Sequence, residues 1–351
     1  MVKTLLCFFI FYSTSVVAAD LTSEIQKINQ KYGNTMPYPI VVLDKPAFKK
    51  FIGKNDFFAK DEALIIKGLQ SFISQNHKLA IGEEEATSLA ALLIHSGKSA
   101  LAHPVIDRDS RPYKMKSCFV LPAVTQASHE AEVKRVLGAD ILPQLYKNLD
   151  IKQVMRLLSL EELQLFSLYH ELSHCLDQTY TIKNFESDPE GHGIHQSEAF
   201  AEVSALFLLS QEKDMSRLGA GRSILRTLYS KYYGPYLAQS PPSMAGPAYN
   251  QGGTIYFLVT PILEAQVFID RGALRTLSLP QVLELSRRVV ETHSLKSRTF
   301  QAMHRTFADG APTLLEYKKL AKDNPDLFLQ TYQELLFIQQ VLSTAEDLLP
   351  E

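Results

Sequence analysis

The arrangement that most narrows what this chain can fold into is a pair of histidines four residues apart, His170 and His174, inside SLEELQLFSLYHELSHCLDQTY at 159–180. Ser159 and Glu162 form a capping-box signature ahead of an apolar-rich run, which predicts an amphipathic helix over 159–179. Four residues are just over one helical turn, so both imidazoles leave the same face about one pitch apart. Imidazoles so placed can share one tetrahedral ion. Glu171 falls beside that face, where its carboxylate can take a proton from a water that the ion has acidified.

A hydrolytic site of this kind needs a third protein ligand and an open position for water. The segment SEAFAEVSALFLL at 197–209 predicts a second amphipathic helix over 197–212, with Ser197 as its N-cap. Glu198 and Glu202 lie one turn apart on one face of it. Two acids on a face backed by so much apolar sequence point to Glu198 as the third ligand. Glu202, one turn on, then accepts a hydrogen bond from the outer nitrogen of a ligand histidine and fixes its tautomer. The reverse assignment of the two acids stays open at this point.

HELSH at 170–174 followed by EAFAE at 198–202 resembles the gluzincin metallopeptidases, among them the thermolysin-like enzymes. The resemblance covers two short helices. It implies one Zn2+ per chain on His170, His174 and Glu198, Glu171 as general base, and Glu202 behind the ligands. Asp177, three residues after His174, is similar to the HExxHxxD pattern of lethal-factor-like peptidases, which implies a place behind the ligands or at the helix end. Those peptidases carry a tyrosine seven residues before the metal-binding glutamate, where this chain has Gly191. The oxyanion donor is therefore open among His192, His195 and Tyr249.

Ahead of the histidines the reading mixes element types. Helices are expected to about Tyr32, over 61–74 and over 83–96, and a strand over 39–43. HPVIDRDSRP, ending at Pro112, reads as a loop, and 117–124 as a strand that Pro122 assigns to a sheet edge. Beyond residue 130 the signals are helical, at 131–138, 140–157, 255–269, 280–292 and 325–346, with a long loop over 239–253. The expected fold is α+β and predominantly helical: a two-lobed zincin-like unit, 20–180 and 181–351, with a small sheet before the active-site helix. In enzymes of the group that the motifs resemble, an edge strand beside the cleft pairs with an extended substrate, and 117–124 is the segment expected to do so.

The first nineteen residues, with Lys3, an apolar stretch from Leu5 to Val17 and then Ala18, Ala19 and Asp20, have the layout of a signal peptide. The mature chain is expected to begin at Asp20, in a periplasm or outside the cell, with no membrane insertion after cleavage. Removing that segment removes Cys7 and leaves Cys118 and Cys175, whose spacing admits a disulfide or two buried thiols. With 36 basic and 38 acidic side chains and a net charge of -2, no field gathers nucleic acid. The remaining histidines, at 77, 95, 103, 129, 293 and 304, lack ligand spacing, and DRDSRP at 107–112 lacks the glycine and glutamate of a calcium loop. The function expected is an exported zinc metallopeptidase acting on a peptide or protein. The alternatives are a zinc-dependent amidase acting on cell-wall material and a non-catalytic, zinc-stabilised binding protein.

Overall fold

The computed structural model describes residues 21–336 apart from 96–98, 127, 148, 183–190, 214–216, 234–235, 237–251, 309–313, 327, 330–331 and 334–335. The signal-like segment, Tyr249, most of the loop 239–253 and most of the helix expected at 325–346 lie outside the described residues.

Helix α1 (Leu21–Tyr32) buries Ile25, Ile28 and Tyr32 along one face and leads into strand β1 (Ile40–Val42). Helix α2 (Lys45–Phe51) starts where the Asp44 carboxylate accepts the N–H of Ala47 at 2.9 Å. Helices α3 (Glu62–His77) and α4 (Glu83–His95) turn Ile65, Leu69, Phe72, Leu89 and Leu93 onto one face of a three-stranded sheet. Strands β2 (Leu101–Asp107) and β3 (Lys114–Leu121) complete that sheet in the order β1-β3-β2. Because strand side chains alternate, Phe119 and Leu121 meet α3 and α4, whereas Cys118 and Val120 join the larger core on the other face.

Two expectations are corrected here. The stretch read as a loop from Ala102 is in its first half strand β2, and β3 is the central strand rather than an edge, because Pro122 falls just beyond its last residue. β3 runs parallel to β1, with Ile40 beside Cys118, and antiparallel to β2, with Ala102 opposite Val120 and Pro104 opposite Cys118. Cys118 donates to Pro39 and Val120 accepts from Leu43, so Phe119 and Leu121 present their backbone groups to β2. Ala102 and Pro104 then turn theirs outward, to the edge. A proline is tolerated there because it has no N–H to offer a neighbouring strand.

The rest of the chain is helical: α5 (His129–Leu137), α6 (Ile151–Met155), α7 (Leu160–Leu176), α8 (His192–Glu212), α9 (Leu218–Tyr232), α10 (Gly252–Ile255), α11 (Val259–Asp270), α12 (Leu279–His293), α13 (Ser297–Ala308) and α14 (Leu314–Asp323). The single helix expected at 140–157 is broken: Pro143 opens a short 3-10 turn, and Asp150 caps α6 by accepting from Lys152 at 2.9 Å. The helix expected from Ile255 starts instead at Val259, with Pro261 in its first turn, where a missing N–H costs nothing. Neither α7 nor α8 is amphipathic as expected. From Ala199 to Leu209 every residue of α8 is buried, because α7, α11 and α12 surround it. Phe200 and Phe207 are fully buried, each worth roughly 1.5–3 kcal/mol of transfer free energy. Cys118 and Cys175 form a disulfide that ties β3 to α7. Among the described residues no helix is long and apolar enough to cross a membrane.

Candidate metal centre

Helix α7 is fixed at both ends. At its start Ser159 Oγ accepts the N–H of Glu162 at 3.2 Å and Glu162 Oε2 accepts the N–H of Ser159 at 2.7 Å, the capping box expected from the sequence. At its end the Asp177 carboxylate accepts the N–H groups of Thr179, Tyr180 and Thr181 at 2.8, 2.9 and 2.7 Å, which stops the helix at Leu176 rather than 179. Burial pushes Asp177 above the ordinary carboxylate range even against those bonds. The Tyr38 hydroxyl donates to the Cys175 carbonyl at 2.8 Å. The turn bearing His170 and His174 is thus held by a cap, a disulfide and a tyrosine.

Helix α8 begins at His192, after Gly191 in the left-handed region at φ 72°. Ser197 is therefore inside the helix and not its N-cap. Glu198 sits nearly two turns from the positive end, so the helix dipole does not account for it. His192 and His195 anchor this first turn. His192 Nε2 donates to the Leu295 carbonyl at 2.8 Å, and His195 donates from Nδ1 to the Ile255 carbonyl at 2.9 Å while its Nε2 accepts from Leu295 N–H at 3.1 Å. Both nitrogens of His195 are used and neither histidine lines the cleft, which removes them as oxyanion donors in this conformation.

His170, His174 and Glu198 come together. His170 Nε2 is 3.3 Å from Glu198 Oε2, and His174 Nε2 is 3.6 Å from Glu198 Oε1. One ligand atom from each of the three lies within 4.8 Å of the other two, a group that could hold a metal ion. Tetrahedral bonds of about 2.0–2.1 Å set ligand atoms roughly 3.3–3.4 Å apart, and the two histidine-to-carboxylate distances are close to that spacing. Glu198 Oε2 is buried and has no hydrogen-bond partner among the described residues, the condition of an oxygen whose partner is an ion. Burial works to raise the Glu198 pKa, but the imidazoles of His170 and His174 and the charge of Arg226 hold it down to about 2. Burial draws His174 down to about 4, which keeps its imidazole neutral, as a ligand must be.

The groups behind the ligands are more numerous than the sequence suggested. Glu202 Oε1 is 3.5 Å from His170 Nδ1, near the place expected for it, but the expected hydrogen bond between them is not formed. It is 0% exposed and also pairs with two cations that sequence reasoning missed, accepting at 2.6 Å from Arg222 Nη2 and at 2.6 Å from Arg226 Nε. Against its burial, these guanidiniums hold the Glu202 carboxyl far below its ordinary range. Arg226 also stands 3.9 Å from Glu198. Helix α9 comes close enough for this because Gly219 and Gly221 lack side chains: a Cβ on Gly219 would meet Gln266 at 2.4 Å, and one on Gly221 would meet Leu158 at 2.6 Å. Asp177 does not touch a ligand. Its Oδ2 is 3.5 Å from Ser197 Oγ, which in turn faces His174.

His170, His174 and Glu198 open into a cleft of 540 Å3 whose wall includes Ala102 and Pro104 of β2, Phe166 and Glu171 of α7, Arg226 of α9 and Tyr256. Glu171 lies where its place in the motif puts it, on the cleft wall, with the Ala102 N–H among the groups that act on its carboxylate. Burial raises its pKa above the ordinary value. No protein-family model matches this chain, and neither a curated protein nor a solved structure does.

Proposed function

We propose that this chain is an exported zinc metallopeptidase of the gluzincin kind, with Glu171 as general base. The observation that carries this is the clustering of His170, His174 and Glu198, with one ligand atom of each within 4.8 Å of the other two, at the wall of an open cleft. Two nitrogens and a carboxylate suit zinc better than magnesium or calcium, which prefer oxygen. Zinc bound there supplies a Lewis acid for the scissile carbonyl and lowers the pKa of water towards neutrality. Glu171 takes the proton from water and passes it to the leaving amine, a task that a carboxyl raised by burial is suited to.

The outward backbone of β2 supports a peptide as substrate. An extended chain laid along that edge would meet the carbonyls of Ala102 and Pro104 beside Glu171. This role passes from the central strand β3, where the sequence led us to expect it, to β2. The two-lobed zincin arrangement of 20–180 and 181–351 belongs to the same reading, as does export, which amino-terminal sequencing of the mature chain from Asp20 tests.

The deciding experiment measures zinc per chain in the mature protein and in Glu198→Ala, alongside cleavage of a mixed fluorogenic peptide library by the parent and by Glu171→Gln. We expect about one zinc in the parent, a clear loss in Glu198→Ala, and a Glu171→Gln protein that keeps zinc but not turnover. Full zinc in Glu198→Ala would move the third ligand elsewhere, and full activity in Glu171→Gln would sink the mechanism.

A further inference from the structure

A second cavity, of 310 Å3, is bounded by α1, α2, α4 and the segment after β3. Its wall is mixed: Leu21, Ile25, Phe57, Leu93, Pro122 and Val124 give it apolar surface, and Thr22, Lys49, Asp56 and Thr125 give it a comparable polar share. Lys45 also lines it and is only 7% exposed. Among the described residues no carboxylate comes within ion-pair distance of its ammonium, and Glu171 acts on it only from further off. Burial and the neighbouring cations Lys49 and Arg135 draw its pKa down to about 8, which leaves it mostly charged at neutral pH. A buried ammonium without a counter-charge is unfavourable, and an anion entering the cavity would supply one.

The other groups on the wall define which anion fits. Lys49 lies 3.4 Å from Asp56 Oδ1, and both line the cavity. A second negative charge on a ligand would therefore meet Asp56 rather than an uncommitted cation, which disfavours phosphates and dicarboxylates. At ~30 Å3 for each water-sized group, the space takes roughly ten non-hydrogen atoms. We propose that this cavity binds a small monocarboxylate with an apolar body, the carboxylate on Lys45 and the hydrocarbon against Ile25, Leu93 and Val124. The site is separate from the metal centre and does not depend on the reading given for it.

The test is calorimetric titration of the mature full chain at neutral pH with octanoate, and with 1-octanol as its uncharged counterpart. We expect saturable binding of one octanoate per chain, weakened about tenfold or more in Lys45→Met, which keeps the bulk and removes the charge, with octanol alike in both proteins. Absence of saturable binding to the parent, or equal octanoate affinity in Lys45→Met, overturns the proposal. Binding that appears only after Asp20→Asn also overturns it, by giving the place to the chain's own carboxylate. Should Lys45→Met fail to fold, Ala123→Phe fills the cavity and retains Lys45: lost octanoate binding supports the proposal and undiminished binding overturns it.

Discussion

Ser197 Oγ stands 3.3 Å from Nδ1 of His174, on the side of the ring opposite Glu198. The hydroxyl also lies 3.4 Å from Thr181 Oγ1 and 3.5 Å from Asp177 Oδ2. It can accept from the ring and donate to the acid, which orients His174 from behind the candidate metal centre. Ser197→Ala should weaken zinc binding about tenfold, read by chelator competition, with little change in fold. Unchanged affinity would mean that packing alone sets the ring.

Glu202 carries the charge balance behind the site. Glu202→Gln preserves its shape but leaves Arg222 and Arg226 buried beside a neutral amide. We expect a loss on the order of 3–5 kcal/mol in urea unfolding. A loss below about 1 kcal/mol would show that cleft water satisfies the arginines.

Acid should loosen the contact between α1 and the end of α8. Glu212 accepts hydrogen bonds from Lys27 and from Lys31, the latter at 2.7 Å, next to the Tyr169 hydroxyl, which donates to Glu24 at 2.6 Å. Burial works to raise the Glu212 pKa, but the hydrogen bonds from the two lysines outweigh it and hold the carboxyl below its ordinary value. A carboxyl depressed in the folded state contributes stability that is fully present above its unfolded pKa of about 4.3 and is lost as pH falls through the folded value. The urea midpoint should therefore fall more steeply below about pH 5 in the parent than in Glu212→Gln. Parallel curves would remove the contribution.

The disulfide closes a loop between positions 57 residues apart. Chain entropy alone puts its contribution at about 4 kcal/mol. Replacing Cys118 and Cys175 together by alanine should lower the urea midpoint by a corresponding amount. A far smaller change would indicate that the unfolded chain stays compact in this region.

The ligand-bearing helix was legible because its signals are local: a capping box, then two histidines and a glutamate at fixed spacing on one face. Glu202 was legible as well, since an acid one turn from a ligand on an apolar helix has few other reasons to be there. Its cations were not. Arg222 and Arg226 lie on a helix that belongs to none of the motifs read from the sequence, and the close approach at Gly219 and Gly221 brings them under the site. The signal that could have found them is charge balance, because a buried Glu202 requires a cation. Strand β2 was hidden by Pro104, which a single sequence cannot assign to an outward edge position without knowing the neighbouring strand. Ser197 was misplaced for a similar reason: GHGIHQ before it looks like a loop, and the bonds that make it helical run to Ile255 and Leu295.

The outward face of β2 has a further consequence, for self-association. At Ala102 the N–H has the Glu171 carboxylate near it, and Pro104 has no N–H, so this stretch of edge is poor in free donors. Two copies brought together there would set carbonyl against carbonyl at Pro104, where no N–H can join them. A sheet edge laid beside an open cleft is ordinarily an invitation to stack into fibrils. This one can be recognised only by a chain that brings its own donors.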